Sequence, residues 1–173
     1  MVGGLLEFAR PKIPRFEEVR PADVVTEVIN TTLGKEDLPQ GIELELLPGA
    51  GDIVTKLDPE LLKRVLQNLT ANAVAAVESG KGKITVEVKK TDNEGEIIIT
   101  VSDNGCGITT DVKHSVFEPF FSTQPSGIGL GLPIVKRIVE DHRGSVEIDS
   151  EEGTGTKVRL VFRAKNESPS GIA

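Results

Sequence analysis

Two carboxamides, Asn68 and Asn72, stand four residues apart within DPELLKRVLQNLTANAVAAVESG, residues 58–80. At about 100° per residue, that spacing puts them on one side of a helix, one turn apart. A carboxamide offers a metal-ligand oxygen together with donor NH groups, which suits a magnesium-bound polyphosphate; helix-surface amides satisfied by solvent have the same pattern. Downstream, VSDNGCGI places Asp103 just before Gly105 and Gly107. That carboxylate can accept from an exocyclic amine and the glycines let a base approach the backbone, although Asp-Asn-Gly is also an ordinary turn. Cys106, between the glycines, has no partner base and reads as a small loop filler. In SGIGLGLPIVKRIVEDH, Gly127, Gly129 and Gly131 run directly into a helix, where bare NH groups attract anions. The segment lacks the Lys-Ser/Thr ending of a P-loop and does not follow a strand, so neither the Walker nor the Rossmann pattern applies; a flexible linker into a helix is the competing reading. Between the two glycine segments, FEPFF holds Phe117, Phe120 and Phe121, half of the phenylalanines in a chain without Trp or Tyr. The cluster reads either as a hinge anchoring a lid or as core packing.

The elements that must position these residues follow from periodicity. Asp58 is an N-cap, Pro59 a first helical residue and Gly80 a stop, while Leu62, Val65, Leu66, Leu69, Ala73, Ala76 and Val77 make one apolar stripe. Earlier, Phe16 to Val19 reads as a short edge strand and Pro21 opens a helix carrying Val24, Val25, Val28 and Ile29, ending near Gly34. Ile42 to Leu47 alternates as a half-buried strand, with Asp52 to Leu57 as its expected hairpin partner. Lys83 to Thr91 and Glu96 to Ser102 follow, joined by a turn at Asp92 to Gly95, the second strand reading as buried on both faces. A helix from about Leu130 to His142, with Gly144 expected as its left-handed cap, precedes strands Ser145 to Ser150 and Thr156 to Phe162. Irregular interleaving with hairpin pairs predicts an α/β two-layer sandwich, a mixed, mostly antiparallel sheet with helices on one face.

Composition sets limits. A chain of 173 residues, 38% hydrophobic, can bury one core and is short for two domains. A formal net charge of −7 without a basic run argues against a nucleic-acid partner. One cysteine and two histidines exclude an internal disulfide and a Cys/His zinc site, and fit a cytoplasmic setting. No run approaches 18 apolar residues.

In this order, NLTANA, DNGCGI, FEPFFST, GIGLGL and GTGTKVRL resemble the asparagine, first glycine, phenylalanine, second glycine and last-strand motifs of two-component sensor histidine kinases. The resemblance spans about residues 17 to 163 and points to the catalytic, ATP-binding domain, with a short lid similar to that of the nitrogen-regulation sensor branch. Its fold would be the Bergerat sandwich shared with gyrase, the ninety-kilodalton heat-shock chaperone and the MutL repair protein. The resemblance implies ATP and Mg²⁺ as cofactors, Asn72 as metal ligand and Asn68 beside the phosphates. It implies that Asp103 binds the adenine amine, Gly105 and Gly107 shape the base pocket, and Thr156 supports the adenine end. Gly129, Leu130 and Gly131 would offer NH groups to phosphate, with Ile108, Phe121, Gly127 and Leu132 completing the nucleotide site. Gln124 stands where these lids commonly carry Lys, and Ile128 where they commonly carry Thr.

Gyrase, the chaperone and the anti-sigma serine kinases carry Glu where this chain has Asn68, and an amide cannot take a proton from water or a hydroxyl. The expected reaction is therefore transfer of the γ-phosphoryl group to a histidine on a separate dimerisation domain of the same parent, with a response regulator downstream. A non-catalytic nucleotide-sensing module and an ATPase of the gyrase, chaperone or MutL type are the alternatives. Neither His114, before Ser115, nor His142, before Arg143, has the acidic successor of an acceptor histidine. Residues 1–15 read as a remnant of the acceptor helix and linker, 16–164 as the catalytic domain and 165–173 as a disordered tail, the piece being monomeric.

Overall fold

The computed structural model describes residues 13–34, 39–49, 51–78, 80–122 and 127–163. Among the described residues ten elements follow one another: β1 (Glu17–Val19), α1 (Pro21–Leu33), β2 (Glu43–Leu46), β3 (Thr55–Leu57), α2 (Pro59–Ala76), β4 (Lys83–Lys90), β5 (Glu96–Asp103), α3 (Gly131–Asp141), β6 (Ser145–Glu151) and β7 (Gly155–Arg163). Five strands form one sheet in the order β2-β4-β5-β7-β6, and the three helices pack over one of its faces. The expected two-layer sandwich is thus the observed one. Residues 1–12 of the expected remnant (1–15) and the expected tail (165–173) lie outside the described residues.

The strands bury what their alternation says they should. Ile84, Val86 and Val88 of β4 and Ile97, Ile99 and Val101 of β5 are buried beneath the helices, where Val65, Leu66 and Leu69 of α2 meet them. Each such side chain contributes about 1.5 to 3 kcal/mol of transfer free energy. β5 is not buried on both faces, however: Ile98 and Thr100 are half-exposed on the uncovered side. The apolar run IIITV reflects a sheet with one open face rather than two covered ones.

Strand pairing departs from the sequence reading at one place. The segment leading to Leu57 is no hairpin partner of β2; Thr55–Leu57 pairs antiparallel with β1, and β2 pairs parallel with β4. Parallel neighbours need a crossover of a dozen or more residues, and α2 supplies it. A two-residue break at Pro48-Gly49 suggested a tight turn, yet the longer connection places the helix over the sheet.

Both ends of α2 are chemically defined. Asp58 Oδ1 accepts from the Leu61 NH at 3.0 Å, the expected N-cap, and Pro59 begins the helix. The helix ends at Ala76, before Gly80, because the Ala76 carbonyl accepts from the Cys106 NH at 3.0 Å. At the end of α3 the left-handed residue is Arg143, with φ 56°, not Gly144. The Gly144 NH reaches back to the Val139 carbonyl at 2.8 Å, and a Cβ there would lie 1.9 Å from the Val161 carbonyl oxygen. Gly144 is thus required by close approach to β7, and the strain falls on its neighbour.

Asp58 also joins three parts of the chain. Its Oδ2 accepts from the Arg15 NH at 2.8 Å, and its own NH donates to His142 Nε2 at 3.2 Å. His142 Nδ1 lies 2.8 Å from the Ile138 carbonyl, so the proton resides on Nδ1. The ring is buried edge-on between Phe16 and Phe162, with centroids at 5.1 and 5.6 Å. Asp58→Ala removes the cap and leaves the Arg15 NH without its acceptor, so it should destabilise by about 2 to 3 kcal/mol. Urea denaturation would read this, with Asp58→Asn, which retains Oδ1, losing less.

Candidate functional site

A cleft of about 1940 Å³ opens between α2, α3 and the two glycine segments. Asn68 and Asn72 form part of its floor, both half-buried. Asn68 Nδ2 donates to the Arg64 carbonyl at 2.9 Å, one turn back, which fixes the side chain and leaves Oδ1 as the atom offered across the cleft. There it faces the start of α3: a Cβ at Gly131 would lie 3.3 Å from Asn68 Oδ1 and 3.8 Å from both amide atoms of Asn72. Among the described residues no side chain caps α3, so its first-turn NH groups stand open beside the asparagines.

The phenylalanine segment carries this arrangement. The Phe120 NH donates to the Gly129 carbonyl at 2.9 Å, and Gly129, at φ 72°, has no room for a side chain, since a Cβ would lie 2.5 Å from Phe120 C and Phe121 O. None of the three phenylalanines is in the buried core, which overturns the core-packing alternative. Phe121 lines the cleft, Phe117 lies under the Lys136 ammonium at 5.7 Å, and Phe120 is 63% exposed with φ 68°. The segment is a strained shelf on which the second glycine run rests.

The other end of the cleft is built around Asp103, the last residue of β5. Its Oδ1 accepts from the Gly105 NH at 2.9 Å and from the Thr156 NH at 3.3 Å. Burial pushes its carboxyl above the ordinary carboxylate value, and those two NH groups offset part of the shift. Thr156 faces Asp103 across β5 and β7, and its hydroxyl lies 2.9 Å from Ser150 Oγ. Because Ser150 donates to the Gly155 carbonyl, Thr156 is the donor of that pair. Ser150 also accepts from the Ile108 NH at 2.9 Å, so one hydroxyl ties the Asp103 loop to the β6–β7 turn. Ser150 had no motif to reveal it, because only strand register brings it there.

The comparisons with known proteins agree with this geometry. Residues 57–166 match the family model described as Histidine kinase-, DNA gyrase B-, and HSP90-like ATPase. The chain belongs to this ATPase family. Sensor histidine kinase ZraS of Salmonella typhi is 37% identical over 157 residues, which are 90% of this chain and 33% of ZraS. The nucleotide-free catalytic domain of histidine kinase ThkA matches with TM-score 0.74 and 27% identity, over 87% of this chain and 96% of that one. Full-length ShkA in complex with AMPPNP matches with TM-score 0.76 and 26% identity, over 94% of this chain and 35% of ShkA. The chain spans a third or less of the curated relatives it matches.

Within this histidine kinase-type ATPase domain, the expected site residues Asn68, Asn72, Asp103, Gly107, Ile108, Phe121, Gly127, Gly129, Leu130, Gly131, Leu132 and Thr156 all line the one cleft. Gly105 does not. A Cβ on it would lie 2.5 Å from the Ala76 carbonyl oxygen, and one on Gly107, at φ 69°, would lie 2.0 Å from the Glu151 carbonyl oxygen. What stands at the Cβ position of both glycines is the protein's own backbone. Gln124 lies outside the described residues, whereas Ile128 is 53% exposed. Cys106 is exposed, and its backbone, not its thiol, ties the loop to Ala76 and Gly153.

Asp103 therefore anchors the loop as well as facing the cleft, so Asp103→Ala would disturb both. Asp103→Asn keeps the Oδ1 acceptor and removes the buried charge. An acid whose folded pKa is raised has full stability below its unfolded value and loses it as pH rises through the folded value. The asparagine variant should thus melt at or above the parent's temperature near neutral pH, with the difference shrinking on acidification. Its affinity for adenine nucleotides should fall by about tenfold or more. A variant that melts lower yet binds ATP unchanged would contradict this assignment.

Proposed function

We propose that this domain binds ATP with Mg²⁺ and transfers the γ-phosphoryl group to a histidine on a dimerisation domain of the same parent protein, which then supplies a response regulator. The apposition of Gly131 to Asn68 and Asn72 carries this reading, because it sets uncapped NH groups opposite two carboxamides. Full-length ShkA, similar over 94% of this chain, holds AMPPNP, which supports a nucleotide in the equivalent cleft.

Asp103 would accept the adenine amine, and the first turn of α3 would hold the phosphates. Among the described residues no group of three or more His, Cys, Asp or Glu gathers for a metal. A magnesium site would therefore draw on the Asn72 carboxamide oxygen together with phosphate oxygens and water, a donor set of hard oxygens suited to that ion. When bound, Mg²⁺ supplies neutralisation of phosphate charge. Asn68 is an amide already committed to the Arg64 carbonyl, and takes no proton. The acceptor imidazole must therefore come with its own base: a phosphorus–nitrogen bond forms, the bond to the bridging oxygen breaks, and ADP leaves. For the same reason hydrolysis of the gyrase or chaperone type is disfavoured.

The domain limits follow the same reading, with the catalytic domain at residues 16–164. The shortness of the stretch between Phe121 and Gly127, five residues, suggests kinship with nitrogen-regulation sensors. His142 is buried and hydrogen-bonded through both ring nitrogens, which makes it unfit as an acceptor, and His114 sits in an exposed turn.

Mixing this chain with the separately made histidine-bearing domain, γ-labelled ATP and Mg²⁺ should put acid-labile phosphate on the added domain alone. Asn72→Ala should abolish the transfer while still melting cooperatively. Stoichiometric label on His114 or His142, or full transfer by the Asn72→Ala protein, would contradict the proposal.

A further inference from the structure

Distance along α2 measures out the cleft. The Asp103 loop touches the helix at Ala76, through the Cys106 NH and the close packing of Gly105. Asn72 follows one turn back, Asn68 lies one turn further at the Gly131 contact, and Arg64 one turn beyond that, also on the cleft wall. At 1.5 Å per residue, Ala76 to Arg64 is about 18 Å, so a ligand with its base near Ala76 and phosphates beside Gly131 extends its far end toward Arg64.

The charge inventory singles out the same residue. A triphosphate needs cations, yet residues 117–131 contain neither Lys nor Arg. The described cleft lining holds three cations, Arg15, Lys63 and Arg64. Lys63 directs its ammonium at Glu27 of α1, and only Arg64 shares the ridge of Asn68 and Asn72 at a spacing of four residues. Its backbone carbonyl already holds the Asn68 amide, so the two side chains are positioned together. The guanidinium, planar and always charged, suits two-point contact with phosphate oxygens.

We propose that Arg64 binds the terminal phosphate of the nucleotide, supplying from the helix floor the positive charge that residues 117–131 do not carry. This rests on the nucleotide reading of the cleft and makes Arg64 a discriminator between the triphosphate and the diphosphate.

Titration of the full chain with Mg-ATP and with Mg-ADP tests it. Arg64→Gln should weaken ATP by about tenfold or more, with ADP changed by less than about twofold, and Arg64→Lys should recover part of the loss. Lys63→Gln should leave both affinities unchanged. Equal losses for the two nucleotides, no loss for either, or an ATP-selective loss in Lys63→Gln instead would overturn the assignment while leaving the nucleotide site standing. A parent chain that binds neither nucleotide would overturn the site reading, and this inference with it.

Discussion

One helix has to satisfy two environments at once, and the rest of the domain is arranged around that demand. α2 buries Leu62, Val65, Leu66 and Leu69 against the sheet while the adjacent ridge of Asn68 and Asn72 stays half-exposed in the cleft. A rotation of the helix would bury the amides or expose the leucines, so core packing fixes the orientation of the polar ridge. The Asp58 cap, its link to His142 and the Cys106 contact at Ala76 hold the ends of this helix against such movement.

The glycines serve that arrangement. Gly105, Gly107 and Gly129 sit where protein backbone passes too close for a Cβ, which brings the Asp103 loop onto α2 and the second glycine run onto the phenylalanine shelf. Gly131 differs, since what stands opposite it is the asparagine pair. Motifs that read as loose loops are therefore fixed joints. Of the two left-handed non-glycine residues among those described, Phe120 stands beside the cleft and Arg143 at the end of α3.

Much of this was legible in the chain itself, for identifiable reasons. Period-two alternation located β4 and β5, helical periodicity and the Asp58-Pro59 cap located α2, and the ordered motifs named the residues that meet in the cleft. Contacts between segments far apart in sequence were not legible. The β1–β3 pairing, the parallel β2–β4 ladder and the reach of Ser150 to the Ile108 NH depend on register and crossover, which leave no local signature. Gly144 misled because a glycine after a helix usually supplies the left-handed residue, whereas close approach to Val161 claims it here. IIITV misled because an apolar run on a sheet with one open face resembles a fully buried strand.

Asp103 is a carboxylate held in the cleft wall with its charged form disfavoured by burial and only partly compensated by two NH groups. The central claim is that this charge awaits the exocyclic amine of adenine. Isothermal titration of the chain with ATP and GTP in separate experiments tests it most directly, because guanine presents a carbonyl where Asp103 requires a donor. Binding of ATP with GTP weaker by about tenfold or more is the result expected; equal affinities for the two nucleotides would contradict the claim.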